Sequence, residues 1–319
     1  MSLVFRERGR TRDRQEDDMA IFRGAGVALI TPMHEDGSVN YEKLTEILEE
    51  QIAGGTDAII SCGTTGEAAT LSEAEHMDVI RHSVRVTAHR IPVIAGTGSN
   101  STETAVKLSK EAEEAGADGL LLVTPYYNKA TQGGLYEHYK AVAESVSIPC
   151  ILYNVPSRTG VTIQPETMAR LYRDFENIVG VKDAGGDLAM SSRLMSLVDR
   201  DFLLYSGEDG IVLPLLSIGG SGVISVLSNI APREMHGLCE SWFKGDVEGA
   251  RREQLRALAL IRALFMEVNP IPVKAAMNLL GKEVGPLRLP LTEITEENRE
   301  KLRAEMERYG LLPEGSGRG

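Results

Sequence analysis

A chain of 319 residues with 42% hydrophobic residues is long enough to bury a sizeable core without disulfides or a structural metal. Its 34 basic and 46 acidic side chains give a net charge of −12, which disfavours binding to the phosphate backbone of nucleic acids. No apolar run approaches the roughly 18 residues of a membrane span, and the first residues lack the apolar segment of a secretory signal, so membrane and secreted classes are excluded.

Both ends of the chain are predicted to lie outside the folded body. Residues 1–20 are charged with mixed sign and show no periodicity over most of their length, which predicts a disordered extension. Residues 313–319 are rich in glycine and predict a flexible tail. Three cysteines form no CxxC pair, and an odd number cannot all pair with one another, so a reduced cytoplasmic setting is expected: Cys62, Cys150 and Cys239.

The body repeats short apolar runs, each ending in glycine, proline or a polar residue. Runs of this kind are typical of parallel strands buried on both faces. There are eight of them: 26–33, 58–63, 93–98, 119–125, 150–156, 178–184, 202–207 and 222–226.

Amphipathic stretches separate these runs and predict helices. The stretch 41–55 places four apolar side chains on one stripe: Leu44, Ile47, Leu48 and Ile52. The next two stretches begin at Ser72 and Ser101, both suitable N-cap residues.

Eight strands alternating with helices are compatible with an open doubly wound sheet or a closed (β/α)8 barrel. Eight units within about 220 residues favour the barrel. We therefore predict an α/β fold with a (β/α)8 TIM barrel over 21–245 and a C-terminal helical extension over 246–312. This extension should hold two or three helices beyond the last helix of the barrel.

Lys182 is the most informative residue because it stands at the end of an apolar strand, where barrel active sites lie. One interpretation is a core lysine paired with Asp183. The other is a desolvated amine that attacks carbonyl groups and forms a Schiff base without metal or cofactor. Tyr153, at the end of the preceding strand, is a candidate proton donor and acceptor for that chemistry or, alternatively, a packing residue.

A turn with two glycines and two hydroxyls, Gly63–Glu67, follows the second predicted strand. Its backbone N–H groups and the hydroxyls of Thr64 and Thr65 can hold a carboxylate, although the turn could equally be a plain connection. Arg158 offers a planar fork for a second carboxylate.

Metal and nucleotide sites find little support. The six histidines form no HxH or HExxH pattern, and neither a phosphate loop nor a complete dinucleotide fingerprint is present. We expect no metal and no cofactor.

Five motifs in order give the chain a family resemblance: GTTGE at 63–67, TPYYN at 124–128, YNVPSRTG at 153–160, GVKDAGG at 180–186 and GVISV at 222–226. Together they resemble the dihydrodipicolinate synthase (4-hydroxy-tetrahydrodipicolinate synthase) family, within the N-acetylneuraminate lyase and class I aldolase superfamily. The likeness covers roughly residues 21 to 312.

The resemblance implies that pyruvate forms a Schiff base with Lys182 and condenses with L-aspartate 4-semialdehyde, in the diaminopimelate route to lysine. It makes Tyr153 the proton shuttle, in a relay with Thr64 and Tyr127. The substrate-binding residues that it implies are Thr65, Arg158, Gly207 and Ile224, with Arg158 on the carboxylate of the aldehyde.

The resemblance also implies a homotetramer of two tight dimers, in which Tyr127 enters the neighbouring site. An inhibitory lysine pocket would match six positions at the dimer interface: Ala69, Glu73, His76, Asn100, Thr104 and Tyr126. Glu73 stands where a histidine is usual, and Thr104 stands where a glutamate contacts the bound lysine. We therefore expect weak or absent inhibition by lysine.

Two alternatives remain at this point. Another lysine-dependent member of the superfamily, an N-acetylneuraminate lyase or a keto-deoxy sugar-acid aldolase, would keep Lys182 and Tyr153 but need a polyol pocket. A non-catalytic binding barrel would keep only the scaffold. Arg158 and the paired threonines Thr64 and Thr65 favour the synthase.

Overall fold

The computed structural model describes residues 20–313. The predicted extension over 1–20 and the predicted tail over 313–319 therefore lie, apart from Ala20 and Pro313, outside the described residues. Within 20–313, none of the helices is both long enough and apolar enough to cross a membrane.

The body is a closed barrel of eight parallel strands, which confirms the predicted fold. In chain order, β1 to β8 span Gly24–Ala28, Ala58–Ser61, Val93–Gly96, Gly119–Val123, Cys150–Asn154, Ile178–Asp183, Leu203–Ser206 and Gly222–Ser225. β1 pairs with β8, with Gly24 opposite Gly222, and this pairing closes the barrel. A Cβ on Gly222 would lie 1.9 Å from the carbonyl oxygen of Gly24, so only glycine allows this approach.

Helices separate the strands and surround the barrel. In chain order, α1 to α12 span Tyr41–Ala53, Glu73–Thr87, Thr102–Glu114, Gln132–Ala143, Pro156–Thr159, Pro165–Asp174, Leu188–Met195, Val212–Ser217, Pro232–Phe243, Val247–Leu264, Ile271–Leu279 and Glu296–Tyr309. The predicted N-caps are confirmed, because Ser72 and Ser101 each accept a backbone N–H three residues on. The helices α10 to α12 follow the barrel's last helix, α9, as the predicted C-terminal helical region requires.

Two local details differ from the sequence pattern. β1 ends at Ala28, whereas the apolar run continues to Met33, because the Ile30 N–H donates to the Asn229 side chain instead of a strand (3.1 Å). On α1, Gln51 is buried and Ile52 only half-buried. The Gln51 amide donates to the carbonyl of Ser228 at 2.8 Å, which satisfies its polar group inside the protein.

The strands separate two apolar cores. Alternate side chains of each strand point into the barrel or out towards the helices. Inside lie residues such as Ile151, Tyr153 and Tyr205, while Leu152 and Val181 belong to the larger core between strands and helices.

A buried ion pair fastens α11 to the Gly63–Glu67 turn. The ammonium of Lys274 donates to Glu67 Oε1 at 2.8 Å and to the carbonyls of Thr31 and Pro286 at 3.2 and 2.5 Å. Both charged side chains are about 98% buried or more, with relative exposures of 2% and 1%. Burial lowers the pKa of Lys274, and the Glu67 carboxylate opposes that shift. The geometry is favourable because all three ammonium protons have acceptors.

We expect Lys274→Met to reduce the free energy of unfolding by about 3–5 kcal/mol, because it leaves the Glu67 carboxylate buried without a compensating positive charge on Oε1. Adding Glu67→Gln should recover part of that loss. Urea unfolding measures the free energy of unfolding of the single and the double variant. The control is Lys301→Met, which removes an exposed pair with Glu297 and should change stability by no more than about 0.5 kcal/mol. Equal effects of the two single substitutions would contradict the structural role of the buried pair.

Candidate active site

The carboxyl ends of β5 and β6 bring Tyr153 and Lys182 together. The two residues are direct partners in the parallel register, as are Asn154 and Asp183 one position further along. Paired residues face the same side of a sheet and successive residues alternate. Tyr153 and Lys182 therefore face the barrel interior, and Asn154 and Asp183 face the helices.

Lys182 is 6% exposed, and its Nζ lies 4.4 Å from the centre of the Tyr153 ring. Among residues 20–313 it has no carboxylate within ion-pair distance, so the alternative pairing with Asp183 is wrong. The space beside it depends on Gly207, where a Cβ would come within 3.1 Å of Lys182 Cε. A buried amine without a counter-ion is suited to nucleophilic attack on a carbonyl carbon.

Asp183 ties the ends of β5 and β6 to the helix layer. Its carboxylate accepts hydrogen bonds from Asn154 Nδ2 at 3.0 Å, Gly185 N at 3.0 Å and Ser191 Oγ at 2.7 Å. The other end of the Asn154 amide accepts from Ile163 N at 3.2 Å. These bonds fix the two strand ends that carry Tyr153 and Lys182.

The Gly63–Glu67 turn follows β2. Gly66 N donates to the carbonyl of Gly63 and Glu67 N to that of Thr64, both at 3.1 Å. Within residues 20–313, the N–H groups of Thr64 and Thr65 donate to no protein acceptor. Two adjacent free N–H groups can bind an anion, as the sequence predicts for a carboxylate.

Arg158 and Thr64 face a common cavity. This cavity of about 380 Å³ is lined by Thr64, Tyr153 and Arg158, so it connects the neighbour of Lys182 to the Gly63–Glu67 turn and to Arg158. Thr65 and Lys182 are not among its lining residues. The short helix α5 carries Arg158, and one guanidinium nitrogen donates to the carbonyl of Asn269 at 3.1 Å. In the described part of the chain its other donors have no protein acceptor, so they are available for a ligand.

Two further predicted site residues, Ile224 and Tyr127, lie in different surroundings. Ile224, on β8, is buried in the barrel interior. Tyr127 does not reach its own site: its side chain is 89% exposed, and its φ of 73° is unusual for a residue with a Cβ.

The predicted lysine pocket is part of the same cavity. Five of its six residues line the space: Ala69, Glu73, His76, Thr104 and Tyr126. Asn100 is not in the lining, and its carbonyl accepts from Asn128 Nδ2 at 2.9 Å. The Glu73 carboxylate already binds Lys107 Nζ at 2.6 Å, and His76 Nε2 donates to the carbonyl of Gly96 at 2.7 Å.

Sequence reasoning missed two residues near the site. Asp209 is fully buried, and its Oδ2 accepts from the N–H groups of Val226 and Leu227 at 3.0 and 2.9 Å, which holds the end of β8. Burial raises the pKa of Asp209, while these N–H groups and the charge of Lys182 oppose the shift. Asn269, from the C-terminal region, donates to Thr65 Oγ1 at 2.9 Å. Two carboxylates directly after a strand offered a signal for Asp209, whereas nothing local indicated Asn269.

Metal ligation gains no support here: within residues 20–313, no three His, Cys, Asp or Glu side chains are grouped so that they could hold a metal ion.

This chain is similar to proteins of the dihydrodipicolinate synthetase family. The sequence model of the dihydrodipicolinate synthetase family matches residues 21–309. The 4-hydroxy-tetrahydrodipicolinate synthase of Acetivibrio thermocellus is 56% identical over 292 residues, which cover 92% of this chain and 99% of that protein. The 4-hydroxy-tetrahydrodipicolinate synthase of Lachnoclostridium phytofermentans is 54% identical over 294 residues, which cover 92% of this chain and 100% of that protein.

A solved structure is also similar to this chain. The crystal structure of dihydrodipicolinate synthase from Aquifex aeolicus matches with a TM-score of 0.89 at 48% identity, and the match covers 91% of this chain and 99% of that one.

We expect Asp183→Ala to slow the reductive trapping of Lys182 by pyruvate and borohydride by about ten-fold, because three donors lose their acceptor and the ends of β5 and β6 shift. Peptide mass analysis measures the trapping rate. The control is Asp187→Ala, which removes the exposed N-cap of α7. It should cost about 1 kcal/mol of stability without changing the rate. An unchanged rate in Asp183→Ala would show that this carboxylate does not position the lysine.

Proposed function

We propose, because the chain belongs to the dihydrodipicolinate synthetase family, that Lys182 is the residue on which its reaction takes place. The activity is that of a 4-hydroxy-tetrahydrodipicolinate synthase, a lyase of the class I aldolase type in lysine and diaminopimelate biosynthesis. Its substrates are pyruvate and L-aspartate 4-semialdehyde. The observation that carries the assignment is the buried Lys182, free of any carboxylate partner within 20–313 and 4.4 Å from the Tyr153 ring centre.

The amine of Lys182 attacks the keto carbon of pyruvate, and the resulting carbinolamine loses water to give an imine. Loss of a methyl proton converts the imine to an enamine, whose carbon adds to the aldehyde of the second substrate. The amino group of that substrate then displaces the lysine, which closes the ring and frees Lys182. One water leaves in the balance of the whole sequence.

Tyr153 serves as the proton shuttle in these steps, since it adjoins Lys182 on the interior face of the barrel. Thr64 lines the same cavity as Tyr153 and continues the relay. The third member, Tyr127, comes from the neighbouring subunit of a tight dimer. Its 89% exposure in one chain supports that role, because an exposed aromatic side chain at a strained position is suited to an interface.

The two carboxylates bind at different places. Thr65 and the backbone at Ile224 hold pyruvate, and Gly207 leaves room for the lysine that carries it. Arg158 takes the carboxylate of the aldehyde substrate, because a guanidinium can donate two parallel bonds to it.

Three wider features complete the proposal. Residues 21–245 form the catalytic barrel and 246–312 the helical region, a division supported by the N-cap Asp246 between α9 and α10. The assembly is a homotetramer of two tight dimers. The enzyme works in the cytoplasm, a setting suited to three buried cysteines that form no disulfide.

Other members of the superfamily are less well supported. A sugar-acid aldolase or an N-acetylneuraminate lyase needs a polyol pocket, whereas this cavity joins Arg158 to the Thr64 turn. The identity of 50–56% to proteins named as synthases also favours the synthase. A non-catalytic barrel would have no need for a buried lysine beside a tyrosine.

Incubation with pyruvate and borohydride should add a covalent adduct to Lys182 and to no other lysine, which peptide mass analysis will reveal. Lys182→Ala should remain folded and lose nearly all turnover, because it removes the amine that adjoins Tyr153. The control is Lys244→Ala, whose exposed ammonium binds Glu240. Full activity without modification of Lys182 would refute the Schiff-base assignment.

We also propose that lysine inhibits this enzyme weakly or not at all. Thr104 offers no charge to the ammonium of a bound lysine, and Glu73 is already paired with Lys107. His76 has one ring nitrogen occupied by the carbonyl of Gly96. The cavity therefore lacks the free carboxylate that would bind an amino acid at one end.

Rates measured at subsaturating pyruvate should change little as L-lysine is added. Thr104→Glu should strengthen inhibition by about ten- to a hundred-fold, because it supplies a charge-assisted partner for the ammonium. The matched control is Lys110→Glu, an exposed position on the same helix that should not respond. Strong cooperative inhibition of the unaltered enzyme at submillimolar lysine would contradict this proposal.

A further inference from the structure

One residue of the C-terminal region touches both predicted carboxylate sites. Asn269 lies between α10 and α11 and is 5% exposed. Its side-chain Nδ2 donates to Thr65 Oγ1 at 2.9 Å, and its backbone carbonyl accepts from Arg158 at 3.1 Å. The side chain of Asn269 therefore contacts a residue of the proposed pyruvate site, and its backbone contacts a residue of the proposed site for the second substrate.

The direction of the hydrogen bond between Asn269 and Thr65 decides where the proton of the Thr65 hydroxyl can point. A threonine hydroxyl has a single proton and can accept as well as donate. With the Asn269 amide donating to it, the proton of Thr65 is not needed for that bond and can point elsewhere. In this orientation Asn269 Oδ1 is buried without a partner. The reversed amide would instead leave the NH₂ group without an acceptor, and buried N–H groups without partners are rarer than such carbonyl oxygens.

A buried ion pair close to Asn269 holds the C-terminal region against the turn that carries Thr65. Five residues further on, Lys274 forms its buried ion pair with Glu67, which belongs to the same turn as Thr65. Glu67 Oε2 also accepts from the N–H of Arg288 at 3.1 Å. Glu67 itself has a φ of 54°, a strained conformation that persists only when its surroundings fix it. The C-terminal region thus holds the turn at Thr65 and again at Glu67.

We propose that Asn269 is a positioning residue for pyruvate: by donating to Thr65 Oγ1, it directs the Thr65 proton to the pyruvate carboxylate. The inference rests on the proposed function, in which Thr65 binds that carboxylate. It assigns the C-terminal region a part in substrate binding, beyond its role in packing.

Two substitutions separate this role from simple packing. Asn269→Ala removes the donor and should raise the KM for pyruvate about ten-fold, because the Thr65 hydroxyl is no longer oriented. Asn269→Asp keeps the shape but accepts from Thr65, which turns the proton away and adds a charge near the carboxylate. It should raise this KM by about 30-fold or more. The KM for aspartate semialdehyde should change less than about two-fold in both, since the carbonyl that binds Arg158 belongs to the backbone.

A double-substitution cycle tests whether Asn269 acts through Thr65. On a Thr65→Ala background, Asn269→Ala should raise the KM for pyruvate by no more than about two-fold, because the hydroxyl that it orients is gone. Additive effects would overturn the proposal. So would an Asn269→Asp variant as active as the unaltered enzyme, because that result would mean that Thr65 donates to residue 269.

Borohydride trapping with pyruvate alone keeps the two proposals distinguishable. Each folded variant, checked by thermal unfolding, should still trap pyruvate on Lys182, with the half-saturating pyruvate concentration raised in parallel with KM. Failure of the unaltered enzyme to trap on Lys182 would overturn the proposed function. Trapping in all variants at the same half-saturating concentration would overturn the role of Asn269 alone.

Discussion

The parallel register between β5 and β6 is the constraint on which the site depends. It sets Tyr153 opposite Lys182 and Asn154 opposite Asp183. Because successive side chains of a strand face opposite ways, Tyr153 and Lys182 face the barrel interior, and Asn154 and Asp183 face the helices. A shift of one residue in this pairing would exchange the two faces and bring a carboxylate into the interior in place of the amine.

This separation of faces explains the electrostatics of the site. Asp183, next to Lys182 in sequence, is satisfied by three donors in the helix layer and does not approach the ammonium. Lys182 is left inside the barrel with Tyr153 as its neighbour and without a carboxylate partner in the described part of the chain. Within residues 20–313, therefore, no salt bridge occupies the Lys182 amine. The strand geometry thus leaves the proposed nucleophile without an ion-pair partner in the described residues.

The barrel alone does not complete the site. The turn after β2, which carries Thr65, depends on α11 and the segment before it for two side-chain contacts, the ion pair of Lys274 with Glu67 and the bond from Asn269 to Thr65. Helices outside the repeating βα pattern therefore hold a loop at the mouth. This arrangement gives a physical reason for a C-terminal region that the barrel fold does not itself require.

The sequence by itself determined the barrel, because eight apolar runs with a regular spacing are compatible with few folds. It also indicated Lys182 as a candidate nucleophile, because a lysine at the end of such a run is unusual. Only the tertiary structure decided that Asp183 faces away from Lys182, that Tyr127 lies outside its own site, and that Asn269 meets Thr65. Local patterns report the period of a segment and the chemistry of its residues. They do not predict contacts between distant residues. Asn269 and Thr65, for example, are 204 residues apart and meet only when the chain has folded.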